Sequence, residues 1–219
     1  RKVFGNIVKY IKMGASSNFG NMFSVLGGAY FLPFLPMAPI QVLTNNLLYD
    51  FSQVGIPLDN VDEEYIAKPR RWNIASIRNF MLFIGPISSI FDYATFFLML
   101  YFFKCNIGKD VANPDGTTQA ALFHTGWFVE SLLTQTLIVH IIRTQRIPFI
   151  QSRPSAAMLG STLLIMGVGV WLPFSPLAHW LGFVPLPAVY FLWIAGYLLA
   201  YSVLTHSVKM WFARKFGTD

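Results

Sequence analysis

Cysteine is nearly absent from this chain. Cys105 is its only one in 219 residues, so no internal disulfide holds the fold. Charge is scarce as well: charged residues make up 12% of the sequence, against about 25% in an average soluble domain. The short motifs of covalent and phosphate chemistry are missing too, with no G-x-x-x-x-G-K, no H-E-x-x-H and no G-x-S-x-G. These absences exclude a disulfide scaffold, a cytosolic domain and a self-contained hydrolase. What the chain has is apolar surface: 54% hydrophobic residues, 21 Phe and a mean hydropathy of +0.50. Too little polar side chain exists to cover a soluble exterior, and the class is an integral membrane protein.

A helix crosses a bilayer with about 20 largely apolar residues. Six stretches meet that need, near 16–35, 38–54, 77–103, 120–142, 156–174 and 186–208. The expected fold is all-α: a six-transmembrane-helix bundle (16–219) preceded by a cytoplasmic amphipathic stalk (1–15). No short apolar segment with a cleavage site opens the chain, so no signal peptide is expected. Arg1 in place of Met leads to the expectation that the polypeptide starts further upstream.

The net charge of +6 raises two possibilities, an acidic partner or membrane orientation. The placement of the basic residues separates them. Fourteen of the 16 Lys and Arg fall in the leading segment, the second-to-third and fourth-to-fifth connections and the tail, leaving Lys104 and Lys109 opposite. Alternating spans put all four basic segments on one face, which is the cytoplasmic one, with both ends inside and no nucleic acid as partner.

In the stalk, Val3, Phe4, Ile7, Val8 and Ile11 recur at helical spacing. An amphipathic helix running into a span implies something to connect to, or else a helix lying on the lipid surface. Between the first two spans, Pro33, Pro36 and Pro39 predict a tight non-helical outer hairpin. Asp59 to Trp72 reads as a charged cytoplasmic loop, and Asn113-Pro-Asp-Gly116 as a turn in the outer loop 104–118. Small pairs such as Ala156 with Gly160 and Gly196 with Ala200 predict close helix packing. No internal repeat supports an inverted-repeat transporter.

Three acids fall within spans: Asp50, Asp92 and Glu130. Each costs about 2.5–3.5 kcal/mol at the centre of a membrane helix and therefore needs a reason. Asn46 lies four residues before Asp50 on one helical face, and Asn18 and Asn21 share a face in the preceding span. Amides and a carboxylate make an oxygen-rich cluster suited to Mg²⁺ or Ca²⁺, with a polar packing seam as the alternative. Asp92, with Ser88 and Ser89 nearby, and Glu130, with Thr134 and Gln135 nearby, either line the site or bond a neighbouring helix. The histidines, such as His124 and His140, and Trp171, Trp180 and Trp193 are expected at span ends or in packing rather than as ligands.

The segments Arg1-Lys-Val-Phe-Gly-Asn-Ile-Val-Lys-Tyr10, Ser16-Ser-Asn-Phe-Gly20, Asn45-Asn-Leu-Leu-Tyr-Asp50 and Lys68-Pro-Arg-Arg71 resemble the stalk, fifth span, sixth span and following loop of P-type cation-transporting ATPases. Phe31-Leu-Pro-Phe-Leu-Pro-Met37, Ile84-Gly-Pro-Ile-Ser-Ser-Ile-Phe-Asp92, Gly126-Trp-Phe-Val-Glu130 and Arg143-Thr-Gln-Arg-Ile-Pro-Phe-Ile-Gln-Ser-Arg153 narrow the resemblance to the bacterial magnesium-transporting members. The six spans then resemble the fifth to tenth of a ten-span pump.

The resemblance implies Mg²⁺ as the transported ion, imported into the cytoplasm, and a place in the bacterial inner membrane. It implies ATP bound in domains that this chain lacks, and as partners the lipid bilayer, the N-terminal spans and the cytoplasmic phosphorylation domain. Asn18, Asn46 and Asp50 fall where calcium-pump relatives place ligands, and Asn21 replaces a carboxylate there, which favours a single divalent ion. Glu130 corresponds less securely, and Asp92 rests on its burial alone. The phosphorylated Asp-Lys-Thr-Gly-Thr segment and a Pro-Glu-Gly-Leu motif are absent from these residues. A complete six-span channel or secondary transporter, or a membrane scaffold, are the other readings that the residues leave open.

Overall fold

No proline interrupts residues 1–32, and the computed structural model shows why that matters. It describes residues 1–63, 67, 73–105, 119–144 and 146–216. The stalk and the first expected span form one unbroken helix, α1 (Lys2–Phe31). Residues 32–38 are non-helical, as the prolines predict, and Pro39 opens α2 (Pro39–Ser52), where a missing N–H costs nothing. Gln41 Oε1 accepts the Ala38 N–H at 3.0 Å and secures that start. A 3₁₀ turn (Ile56–Leu58) follows.

Asn73 caps α3 (Ile74–Phe97) by accepting the Ser76 N–H at 3.2 Å, and a π-helical turn (Leu98–Phe102) extends the helix. Next come α4 (Gln119–Ile142) and α5 (Ala156–Trp171), the latter capped by Ser155. A one-turn helix (Ala178–Leu181) closed by Gly182 in the left-handed region (φ 69°) leads to α6 (Ala188–Phe216). No strand occurs among the described residues. The loop segment 68–72 and the turn 113–116 lie outside them.

Among the described residues four helical stretches are long and apolar enough to cross a membrane: Ile74–Phe102, Gln119–Ile142, Ala156–Phe174 and Ala188–Lys215. The other two expected spans differ in kind. At 14 residues α2 rises about 21 Å, short of a hydrocarbon core of about 30 Å. The buried face of α1 is made of small and polar residues, Asn6, Ser16, Ser17, Gly20 and Ser24 among them. Of the apolar stalk positions, Val3 and Ile7 are exposed, Val3 to 71%, and Phe4, Val8 and Ile11 are half-buried.

The centre of the bundle is α4, whose most apolar window is 94% buried against 22% for that of α6. Its Trp127 and Phe123 pack on Phe96 of α3, with ring centroids 4.8 and 5.3 Å apart. The closest helix approach is between α1 and α3. A Cβ on Gly20 would collide with Ser88 Oγ and come within 2.7 Å of the Gly85 carbonyl. Ser89 Oγ donates to the Gly20 carbonyl at 3.0 Å, the kind of small-residue crossing that membrane helices use. The small pairs expected at Ala156/Gly160 and Gly196/Ala200 do not do this. All four residues are exposed, and a Cβ at Gly160 or Gly196 would meet nothing within 4 Å. Small residues at i, i+4 fit a seam but do not say which way it faces.

On the stalk side of the bundle a single carboxylate gathers four elements. Asp59 is fully buried, its Oδ2 2.8 Å from Arg143 Nε and 3.2 Å from Lys9 Nζ, while Oδ1 accepts the Ser155 N–H at 3.1 Å. Arg143 goes on to the Ser152 and Arg153 carbonyls, both at 2.9 Å. Burial pushes the Asp59 carboxyl up, but the Arg143 hydrogen bond, the Lys9 charge and the Ser155 N–H outweigh it and hold the group below its ordinary 3.8. At Lys9 burial wins over the attraction of Asp59, and the ammonium sits below its ordinary 10.5. Arg143, rather than Lys9, is therefore the fixed partner.

Candidate cation site

The predicted ligands lie on α1 and α2. Helical spacing puts Asn46 and Asp50 one turn apart on the face of α2 that turns away from the bundle, and both are exposed. Asn18 on α1 is exposed and Asn21 partly buried. Among the described residues no donor or cation meets the Asp50 carboxylate, the ionisable group of this set. Thr44 is spent locally, its hydroxyl donating to the Ile40 carbonyl at 2.8 Å.

Behind this face stands a residue that sequence reasoning noted only as a neighbour. Gln135 of α4 is 3% exposed, and its Oε1 accepts from Ser17 Oγ at 3.1 Å. Its Nε2 reaches Asn21 Oδ1 at 3.2 Å, Asn45 Oδ1 at 3.3 Å and Ser131 Oγ. Three acceptors face two hydrogens, so one bond is shared. Asn45, itself 3% exposed, donates to the Phe128 carbonyl at 3.3 Å. One amide thus fixes α1, α2 and α4 against each other one residue away from Asn18 and Asn46. Polarity at a buried α4 position was the available signal, but its partners on α1 and α2 lie more than eighty residues away in sequence.

Asp92 and Glu130 are not brought to this set. Asp92 accepts Ser24 Oγ on one oxygen and Trp127 Nε1 on the other, both at 2.6 Å, with 2% exposure. Its lone pairs are taken by neutral donors, which matches the hydrogen-bonded reading of a buried acid. Glu130 is fully buried, and neither oxygen receives a hydrogen bond. The Thr134 hydroxyl gives its hydrogen to the Glu130 backbone carbonyl at 2.9 Å instead. At about 100° per residue, Glu130 and Gln135 point roughly 140° apart on α4. Glu130 looks toward Asp92 of α3 and the tyrosines of α6, and away from α1 and α2.

His124 and His140 are structural as well: His124 Nε2 meets the Leu35 carbonyl at 2.6 Å, and His140 Nε2 meets Thr162 Oγ1 at 2.9 Å. No group of three His, Cys, Asp or Glu that would hold a metal exists among the described residues. Any ion site here is built from amide oxygens around one carboxylate. Hard cations that keep part of their water accept such a site.

Comparison with known proteins puts this geometry in context. Residues 34–211 match the family described as "Cation transporting ATPase, C-terminus". The chain is 56% identical over 217 residues to a protein of Salmonella typhimurium (strain LT2) named "Magnesium-transporting ATPase, P-type 1". It is 54% identical to the protein of the same name from Escherichia coli (strain K12). In both cases 99% of this chain aligns, yet it spans only 23% of the relative's length.

Proposed function

Since the chain belongs to the cation-transporting ATPase family and corresponds to its C-terminal part, we propose that it supplies the membrane cation site of an ATP-driven Mg²⁺ importer. The observation that carries this reading is the outward face of α2. An exposed Asp50 and Asn46 share that face of α2, and an exposed Asn18 lies on α1, the two helices being joined just behind them by Gln135 through Asn21 and Asn45. A carboxylate in a membrane helix is costly unless something positive joins it. Asn18, Asn21 and Asn46 add neutral oxygens, so the site carries a single negative charge and suits one partly hydrated divalent ion.

The remaining ligands, the ATP-binding and phosphorylation domains and the preceding spans would come from the portion of the pump outside this chain. Both ends would face the cytoplasm of a bacterial inner membrane, with the basic loops inside. ATP would be hydrolysed there, and this chain would do mechanical work on the ion. Because stalk and span are one helix, a tilt applied to residues 1–15 moves Asn18 and Asn21 as a rigid lever. Asn46 and Asp50 ride on a separate short helix. The two halves of the site then separate or close around the ion, which is alternating access by population shift.

The test is Asp50→Ala in the full-length pump. It should abolish Mg²⁺-stimulated ATPase activity, and an unchanged Mg²⁺ dependence would refute the assignment.

A further inference from the structure

Between the stalk end of α1, the C-terminal end of α2 and the 3₁₀ turn lies a groove of about 400 Å³. Its walls are largely apolar, with Val3, Ile7, Val54 and Ile56, and its polar residues are Asp50, Asn6, Gln53 and Tyr10. Among the described residues no basic side chain lines it.

Two of these polar side chains are incompletely bonded. Asn6 is 3% exposed, and its Nδ2 donates to the Pro57 and Asp59 carbonyls at 3.1 and 3.2 Å, which fixes the amide. Its Oδ1 has no partner. Gln53 is 4% exposed, and its Oε1 has none either. Buried acceptors are almost always satisfied, so two orphans lining one groove next to an unpaired carboxylate call for a positive occupant. Low-polarity walls strengthen the attraction of Asp50 for a cation beyond its value in water. The volume suffices as well, because six waters at about 30 Å³ each need roughly 180 Å³.

We propose that this groove is a second cation site, a vestibule on the stalk side in which Asp50, Asn6 Oδ1 and Gln53 Oε1 hold a divalent cation that keeps most of its water. The proposal builds on the reading of Asp50 as a transport ligand and extends it. Asp50 stands at the boundary, with Asn46 one turn up the helix and Gln53 one turn down it. An ion leaving the amides of α1 and α2 exchanges them for Asn6 and Gln53 without losing its carboxylate. The groove is the way in or out on the stalk side.

Mn²⁺, an oxygen-seeking ion with an electron paramagnetic resonance signal that falls on binding, is the probe. The purified full-length pump is titrated with Mn²⁺, and Mg²⁺ is added as competitor. Two classes of bound ion are expected. Gln53→Leu should remove the weaker class, and Gln53→Glu, which adds a carboxylate, should tighten it at least tenfold. Asn46→Leu should weaken the tighter class alone. A weaker class that neither Gln53 variant moves, or that is absent from the unaltered pump, overturns the vestibule. An Asn46→Leu variant with an unaltered tight class refutes the underlying transport site instead. The two failures read out on different parts of one titration. Gln53→Glu keeps a fixed prediction should Gln53→Leu fold poorly.

Discussion

Asp50 and Asp59 lie nine residues apart and meet opposite fates. Asp50 is exposed, and among the described residues no ion pair forms with it. Asp59 is fully enclosed, with Arg143, Lys9 and the Ser155 N–H around it. Asp92 forms an intermediate case, enclosed and bonded by the neutral Ser24 and Trp127, with the buried Glu130 carboxyl against it. A carboxylate whose lone pairs the fold has filled is part of the scaffold. One whose lone pairs are open at the surface is available to a ligand, whereas Glu130, without a donor but fully buried facing Asp92, is not. Residue type alone does not separate these cases; the partners do.

The sharpest break of this comparison is Asp50→Asn in the full-length pump. It keeps the side-chain shape and removes only the charge. Ion-stimulated turnover should fall at least a hundredfold, since a single hard-cation site loses its one carboxylate. The thermal unfolding midpoint should stay within a degree or two, because no fold contact is lost. A large drop in that midpoint with normal ion dependence would move Asp50 into the scaffold.

Asp59→Ala should behave the other way. Removing one partner of a buried pair leaves Arg143 uncompensated and costs about 3–5 kcal/mol of stability. The measurement is thermal unfolding of the purified pump. The pH dependence follows from the direction of the shift. The Asp59 carboxyl is held below its ordinary 3.8, so its stabilisation is fully present above that value and is lost as pH falls through the lower, folded value. Stability should therefore show no loss from this group between neutral pH and about pH 5. A loss in that interval that Asp59→Ala abolishes would contradict the geometry.

Gln135→Leu stands between the two classes. It leaves Asn45 Oδ1 and the Ser17 hydroxyl without a buried partner, at about 1–3 kcal/mol, and frees α1 from α2 behind the site. Apparent Mg²⁺ affinity should weaken about tenfold, the equivalent of about 1.4 kcal/mol. Gln135→Glu retains the acceptor for Ser17 and should recover part of that loss. A variant that unfolds earlier but binds the ion normally would make Gln135 packing only.

These contrasts also show what the sequence made legible. The prolines at 33 and 36 read correctly as a non-helical link and Pro39 opens the next helix, because the missing N–H is a local fact. Asn46 and Asp50 share a face for the same reason: helical period is local. Which side of a helix looks inward is not local: Val3 and Ile7 of the stalk are exposed, while the inner face of α1 runs through Asn6, Ser17 and Gly20. The Gln135 hub and the Asp59 node were out of reach because each joins residues fifty or more positions apart.

The smallest effect belongs to Asp92→Asn, and the reason lies in its donors. The new amide keeps one oxygen, which can go on accepting Trp127 Nε1–H, the partner with no alternative nearby. On the other side an NH₂ replaces the second acceptor and faces Ser24. Ser24 is not stranded, because its hydroxyl already lies 3.1 Å from the Gly20 carbonyl and can give its hydrogen there while its oxygen accepts from the new amide. Every donor remains bonded, so the loss in stability should stay below about 1 kcal/mol. Mg²⁺ activation should be unaltered, because Asp92 touches none of Asn18, Asn21, Asn46 or Asp50. Loss of ion activation in a variant that unfolds at the normal temperature would place Asp92 back among the ligands and end the distinction between open and filled carboxylates.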